Sequence, residues 1–217
     1  MMRIQTVPLG DFGANCYLLT DPKKNAVVVD PAESAPLLAY FERTGLQLKY
    51  IILTHGHFDH TWGAADLKEK TGAKVICHKG DEPLLRCPDL ASRYFGIEDC
   101  PACVPDITVS DGDTLSVGTM DFTFIHTPGH SKGSMVILSD GVMFSGDTLF
   151  AGSIGRTDLF EGDAATLMES LRKLMALDFD GEVYPGHGIS THIAKEKKTN
   201  LFMLRAAQNE VLYDDLF

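Results

Sequence analysis

The seven residues from Thr54 to His60 constrain this chain more than any other segment. They read Thr-His-Gly-His-Phe-Asp-His, which places three imidazoles and one carboxylate within six residues. The residues just before them, Tyr-Ile-Ile-Leu-Thr at 50–54, are typical of a short strand buried on both faces. The sequence therefore predicts a buried strand that leads directly into a cluster of metal-ligand residue types.

The spacing inside this cluster indicates how it could bind metal. His55 and His57 lie two residues apart, so on an extended segment their side chains project the same way and can bind one ion. Asp59 and His60 follow after the chain turns and can face a second ion nearby. Imidazole and carboxylate ligands together favour Zn²⁺, Mn²⁺ or Fe²⁺ over Ca²⁺ or Mg²⁺.

Three later segments place further ligand types on turns. Each follows a predicted strand and contains a glycine; they are Thr-Pro-Gly-His-Ser at 127–131, Ser-Gly-Asp-Thr at 145–148 and Tyr-Pro-Gly-His-Gly at 184–188. Binding groups are commonly mounted on loops at the ends of a rigid scaffold. Their common placement after strands makes His130, Asp147 and His187 candidate ligands together with the first cluster.

Strands and helices alternate without a regular repeat along the 217 residues, which suit one domain over 1–217. This mixture, with hairpins such as the one around Asp140-Gly141, favours an α+β fold of two sheets with helices outside. The region 78–105 gives no clear periodicity. Predicted helices span Pro36–Thr44, Thr61–Thr71, Ala164–Ala176 and Thr191–Gln208; predicted strands include Arg3–Leu9, Cys16–Thr20, Ala26–Asp30, Lys74–Cys77, Thr114–Val117, Phe122–His126, Ser134–Leu138, Val142–Ser145 and Glu182–Tyr184.

Charge and hydropathy narrow the possible partners. The formal net charge of −11 argues against nucleic acid, whose binding needs a basic face. No apolar run is long enough to cross a bilayer, and the N-terminal residues lack a signal-peptide apolar region. We therefore expect a cytoplasmic protein with no nucleic-acid or membrane partner and a small-molecule substrate; the oligomeric state stays open.

The ligand series His55-x-His57-x-Asp59-His60, then His130, Asp147 and His187, resembles that of the metallo-β-lactamase superfamily. Within it the chain looks like the glyoxalase II, or hydroxyacylglutathione hydrolase, group. The resemblance implies a four-layer αβ/βα sandwich. It also implies that metal one is held by His55, His57 and His130 and metal two by Asp59, His60 and His187, with Asp147 bridging the two.

This resemblance implies a binuclear thioester hydrolase. Its two divalent ions, zinc first and iron or manganese as alternatives, would share a bridging hydroxide that attacks the substrate carbonyl. Asp59 and Asp147 would act catalytically by orienting that hydroxide. Arg156 is the candidate substrate contact, with a structural pairing to Asp158 as the alternative.

Length separates two types within the glyoxalase II group. The longer type adds a C-terminal helical domain that helps bind glutathione, whereas this chain ends at Phe217, about where that domain would begin. We therefore expect the short bacterial type, and recognition of glutathione stays open.

Two other functions remain alternatives. A persulfide dioxygenase would resemble this chain in His55, His130 and Asp147 and in the Gly-Arg-Thr-Asp segment at 155–158, and would use one Fe²⁺. A metal-binding module without activity is the second alternative.

Cys100 and Cys103 have the spacing of a metal clip, and Cys87 or Cys77 with His78 could complete a small zinc site; a redox pair is also possible. A set of free thiols on a proline-rich loop is the simpler reading, because only one Cys-x-x-Cys is present.

Overall fold

Two six-stranded sheets form the framework of the protein. The computed structural model describes residues 2–209, so the predicted domain 1–217 extends beyond the described part at Met1 and at 210–217. In the first sheet, strands β1 to β3 pair antiparallel and β3 to β6 run parallel. In sheet order they are β1 (Arg3–Leu9), β2 (Ala14–Thr20), β3 (Asn25–Val29), β4 (Gln47–Ile52), β5 (Lys74–His78) and β6 (Ile107–Val109).

The second sheet is largely antiparallel and has the order β14-β13-β10-β9-β8-β7. Only β10 and β13 pair parallel within it. Its strands are β7 (Thr114–Val117), β8 (Met120–His126), β9 (Met135–Ser139), β10 (Val142–Gly146), β13 (Glu182–Pro185) and β14 (Thr191–His192). A separate two-stranded hairpin follows β10 and consists of β11 (Leu149–Phe150) and β12 (Ser153–Ile154).

Helices cover the outer face of each sheet. The α-helices of the described residues are α1 (Ala35–Thr44), α2 (Phe58–Thr61), α3 (Ala64–Thr71), α4 (Glu82–Arg86), α5 (Asp89–Ser92), α6 (Ala164–Ala176), α7 (Ile193–Thr199) and α8 (Leu201–Ala207); short 3-10 helices span Lys79–Asp81 and Arg93–Phe95. None of these helices is both long and apolar enough to cross a membrane.

Three clusters of buried apolar side chains fill the spaces between adjacent layers. Leu37 and Leu67, from α1 and α3, pack on the outer face of the first sheet. Between the sheets, β3 and β4 pack against phenylalanines of the second sheet, including Phe144. On the far side, α6 and α8 bury Leu171 and Met203 against the second sheet. The order helix, sheet, sheet, helix confirms the predicted four-layer αβ/βα sandwich.

The predicted helix Thr61–Thr71 is interrupted in the structure at Trp62 and Gly63, between α2 and α3. The amide of Gly63 donates a hydrogen bond to the carbonyl of Pro31 at 2.8 Å. A Cβ atom at Gly63 would lie 2.5 Å from the backbone carbon of Glu33. This close approach of the β3–α1 loop, which cannot be read from helical periodicity, breaks the helix.

The predicted helix Thr191–Gln208 is also divided. Residues 191–192 form β14, and Asn200, with ψ at 114°, separates α7 from α8. The Asn200 side chain accepts hydrogen bonds from the amides of Phe202 and Met203 and therefore caps α8. Asparagine competes for backbone hydrogen bonds in this way and favours helix starts over helix interiors.

The predicted hairpin between β9 and β10 is confirmed. Asp140 and Gly141 have φ values of 45° and 78°, the two positive angles of a type I′ turn. The turn sets Val142 opposite Ser139 in the antiparallel pair.

We predict that Phe144→Ala lowers the free energy of unfolding by about 3–5 kcal/mol, the usual cost of truncating a buried phenylalanine. Phe144 is fully buried between the sheets, with its ring centroid 5.1 Å from that of Tyr17. Urea unfolding of the metal-free protein measures this. The control is Val104→Ala, at a side chain that is 50% exposed, and equal midpoints for both variants would contradict the assigned core.

Candidate metal centre

The candidate ligands come together at one edge of the sandwich, where strands of both sheets end. His55 follows β4 of the first sheet. His130, Asp147 and His187 follow β8, β10 and β13 of the second sheet. Because each strand is paired with its neighbours, the loops that carry these side chains start from fixed points. All seven sequence-predicted ligand residues are brought into this one region.

One group consists of His55, His57 and His130. Each is buried, and one nitrogen from each lies within 4.8 Å of the other two. His57 Nδ1 is 2.8 Å from His130 Nε2. The other ring nitrogen of His130, Nδ1, lies 2.7 Å from the carbonyl oxygen of Arg156 and can donate to it, which directs Nε2 toward the group.

A second group consists of Asp59, His60 and His187, whose ligand atoms also lie within 4.8 Å of one another. His60 Nε2 is 3.1 Å from His187 Nε2. Asp59 Oδ2 is 3.5 Å from His60 Nε2 and 3.3 Å from His187 Nε2. His60 is fully buried, whereas Asp59 and His187 are partly exposed.

Asp147 lies between the two groups. Its Oδ2 atom is 3.6 Å from His130 Nε2 of the first group and 3.7 Å from His187 Nε2 of the second. Its Oδ1 atom is 3.5 Å from His60 Nε2. The position suits a carboxylate shared by two neighbouring ions.

The residues fit a pair of divalent metal ions. Among the described residues, three buried side-chain atoms have no hydrogen-bond partner, and all three belong to this centre: Nε2 of His55, Nε2 of His57 and Oδ1 of Asp147. Burying a polar atom without a partner is costly, and such atoms in a native structure call for an explanation. A donor set of imidazoles and carboxylates matches zinc, iron or manganese.

The pKa values of the candidate ligands are shifted by burial and by the charges of neighbouring ligands. Burial lowers the pKa of His55 and His57 well below the usual value, and neighbouring histidines lower it further. Burial acts the same way on His60, but Asp59 and Asp147 outweigh it and raise the pKa to about 10. The pKa of Asp59 is lowered, because His60 and His187 outweigh the effect of burial. The surrounding carboxylates thus dominate the electrostatics at His60 and favour positive charge there.

Asp30 supports this centre, and the sequence analysis did not identify it. The residue follows β3 and is buried; its Oδ2 atom lies 3.1 Å from His60 Nδ1. Its Oδ1 accepts the Thr54 amide at 2.8 Å, and its Oδ2 accepts the Thr54 hydroxyl at 2.6 Å. Asp30 groups geometrically with His55 and His60, but its oxygens already have these partners, so we assign it to orienting His60. Its place at a strand end was the available sequence signal.

Asp81 is a second supporting carboxylate that the sequence did not reveal. It is fully buried and accepts hydrogen bonds from the amides of Gly56 and Gly133 at 2.7 and 2.5 Å and from the Ser131 hydroxyl at 2.6 Å. Burial raises its pKa against the lowering effect of these bonds. Asp81 therefore joins the loop of His55 and His57 to the loop of His130.

A cavity of about 420 Å³ opens onto the centre. His57, Asp59, His130, Asp147 and His187 form its floor, and its walls include Phe12, Phe58, Phe95, Phe150 and Leu159. Arg156 also lines it, while its guanidinium pairs with the carboxylate of Asp158 at 2.6 and 2.7 Å. Both readings of Arg156, as a cavity residue and as the partner of Asp158, thus have structural support.

All five cysteines are free thiols, four of them buried. None belongs to a group of candidate metal ligands among residues 2–209. Burial raises the pKa of Cys77 and Cys100 to about 12, which keeps both protonated. The structure thus agrees with the simpler reading of the cysteines.

Comparison with known proteins places this geometry in a family. The model of the metallo-beta-lactamase superfamily matches residues 9–187. The hydroxyacylglutathione hydrolase GloC of Haemophilus influenzae is 37% identical over 209 residues, which cover 93% of this chain and 98% of that protein.

Solved structures agree with this result. The crystal structure of the B3 metallo-beta-lactamase BLEG-1 has a TM-score of 0.86 and 35% identity, covering 94% of this chain and 99% of that one. TTHA1623 in a di-iron-bound form has a TM-score of 0.81 and 37% identity, covering 91% and 99%. ETHE1 from Myxococcus xanthus has a TM-score of 0.74 and 27% identity, covering 99% and 94%. The chain belongs to the metallo-beta-lactamase superfamily.

Proposed function

We propose that this protein is a binuclear metal-dependent hydrolase that cleaves a small-molecule thioester. The observation that carries the proposal is the pair of three-ligand groups joined by Asp147, with buried ligand atoms that have no hydrogen-bond partner. One ion would be held by His55, His57 and His130. The other would be held by Asp59, His60 and His187, and Asp147 would be a ligand of both.

Two ions in these positions would supply an activated water as nucleophile and polarise the substrate carbonyl. The protein's part is to hold their ligands in place. Asp30 fixes the ring of His60, and the carbonyl of Arg156 fixes the ring of His130. Asp59 and Asp147 line the cavity with carboxylate oxygens that could accept a hydrogen bond from the attacking water and so orient it.

The thioester assignment draws on the relative named hydroxyacylglutathione hydrolase and on the cavity itself. The cavity of about 420 Å³ has room for a small acyl group and part of a thiol. Arg156 stands at its edge and is half-exposed, so a substrate carboxylate could share its guanidinium with Asp158. We propose zinc as the native metal, with iron or manganese as alternatives, since a di-iron form of a similar protein is known.

The cysteines support a proposal about location. All five remain thiols, including the exposed Cys87, and free thiols persist in reducing compartments. We therefore propose a cytoplasmic protein.

A mononuclear iron dioxygenase acting on persulfides is the second candidate, because the structure of ETHE1 is similar over nearly the whole chain. That function would need only His55, His130 and Asp147 as ligands. The convergence of His57, Asp59, His60 and His187 on the same centre favours the hydrolase instead.

We expect the zinc-loaded protein to hydrolyse S-lactoylglutathione without consuming oxygen. His187→Asn should lower kcat/KM by more than about a hundredfold, since even the partners of metal ligands are worth 10- to 100-fold. The matched control is His192→Asn, at a histidine that is 40% exposed and outside both ligand groups. Thiol release measured with a chromogenic reagent, beside an oxygen electrode, gives both readouts.

Two outcomes would overturn the hydrolase. Oxygen uptake with glutathione persulfide by the iron-loaded protein, without thioester cleavage, would establish the dioxygenase. Metal binding with neither reaction would establish a binding module.

Asp30→Asn should weaken the second metal site more than the first, because Asp30 contacts His60 directly and reaches His55 only through Thr54. The amide keeps the size of the carboxylate but loses its charge, so the orientation and basicity of His60 suffer, and we expect a 10- to 100-fold loss of affinity for one of two ions. Metal titration followed by elemental analysis measures this, with Asp121→Asn on the exposed face of β8 as control. Equal loss at both sites, or at neither, would contradict the assigned role of Asp30.

A further inference from the structure

A second cavity adjoins the metal centre. Its volume is about 350 Å³, and Phe12, Phe58 and Asp59 line both it and the cavity above the ligands. A substrate seated on the metals can therefore extend into it. The remaining lining comes mainly from the β1–β2 turn and from the loop after β3.

Aromatic rings form the walls of this second cavity. The rings of Phe12 and Phe58 meet edge to face, with centroids 5.3 Å apart and planes at 83°. Trp62 follows Phe58 by one helical turn, and its amide donates to the Phe58 carbonyl at 3.0 Å, so both lie on one side of α2. Phe12 and Trp62 are large apolar side chains that remain 46% and 38% exposed. These two rings remain accessible to a ligand in the cavity, whereas Phe58 is buried beneath them.

The charged residues of the second cavity are all acidic. Asp11, Glu33 and Asp59 line it, and none of the described residues that line it is a lysine, arginine or histidine. The Glu33 carboxylate is held in place, because its Oε1 accepts a hydrogen bond from the Gly10 amide at 2.9 Å. By contrast, Arg156 lines the first cavity and not this one. The first cavity thus has an arginine beside its carboxylates Asp59 and Asp147, whereas the charged residues that line the second are carboxylates alone.

We propose that the second cavity binds an ammonium group. If the cavity receives part of the substrate, the natural substrate carries a cationic nitrogen remote from its scissile bond. Aromatic faces attract cations through their quadrupoles, tryptophan most strongly, and cages of aromatic rings recognise quaternary ammonium groups. Glu33 and Asp11 add the opposite charge. The proposal of an ammonium site depends only on the residues that line the cavity. The proposal that this site selects the substrate rests on the proposed hydrolase function.

Other occupants fit this cavity less well. A carboxylate group would face Asp11 and Glu33 without a cation to pair with. A neutral apolar group would contact the rings equally well but would gain nothing from the two acids. The cation is therefore the occupant that uses both the rings and the carboxylates.

The only tryptophan in the chain, Trp62, lies in this cavity and allows binding to be measured without turnover. The zinc-loaded protein is titrated with choline and with 3,3-dimethylbutanol, which share a shape and differ in the charge of the trimethyl group. We expect choline to bind at least about tenfold more tightly than the alcohol. Equal binding of the two would overturn the proposal.

Variants identify the residues responsible. In Glu33→Gln, whose amide oxygen can still accept from Gly10, and in Asp11→Asn, the preference for choline over the alcohol should fall to within about threefold. Glu42→Gln, on the exposed face of α1 and outside the cavity, is the matched control and should leave the tenfold preference unchanged. An unchanged preference in both cavity variants would contradict the part assigned to the acids.

Activity then tests the link to substrate choice. Acetylthiocholine and S-(3,3-dimethylbutyl) thioacetate are matched thioesters with and without the cation. A kcat/KM at least about fivefold higher for the cationic ester is expected, and equal rates for the two would refute the link while leaving the hydrolase standing. Choline binding without cleavage of either ester or of S-lactoylglutathione would instead count against the hydrolase and leave the ammonium site intact.

Discussion

Polar ligand atoms are buried together at the edge where the two sheets meet, and this is the constraint on which the rest of the site depends. Burying imidazole and carboxylate atoms away from water costs free energy unless they find hydrogen-bonding or metal partners. Here His55, His57 and Asp147 keep one atom each without a hydrogen bond, and His60 and His187 meet nitrogen to nitrogen. The sandwich core supplies the rigidity that holds these groups together, and divalent cations would supply the missing partners.

Two buried carboxylates behind the candidate ligands, Asp30 and Asp81, hold the ligand side chains and their loops in position. Asp30 connects the end of β3 to His60, and Asp81 connects the loop of His55 to the loop of His130. Neither is among the described residues that line the cavity above the candidate ligands. They act on the ligands by fixing loop and ring positions, which is the usual contribution of such partners to metal affinity.

Local patterns predicted two sheets with helices outside and grouped the candidate ligands, whereas the four-layer order and the division of the ligands between two metals came from the family resemblance. Short apolar runs mark the strands, and His130, Asp147 and His187 each follow such a run. Asp30 and Asp81 could not be assigned in this way, because their partners lie 24 to 52 residues away along the chain. The break at Gly63 is of the same kind, since it reflects the close approach of a loop that no helical periodicity encodes.

Two adjoining cavities at the centre differ in the residues that line them. The first combines the metal ligands with Arg156, and the second combines aromatic rings with Glu33 and Asp11.

Anomalous X-ray scattering from crystals of the protein loaded with zinc tests the central claim most directly. The account predicts two zinc peaks, one among His55, His57 and His130 and one among Asp59, His60 and His187, with Asp147 in contact with both. A single peak bound by His55, His130 and Asp147 alone, with the second group empty, would contradict it.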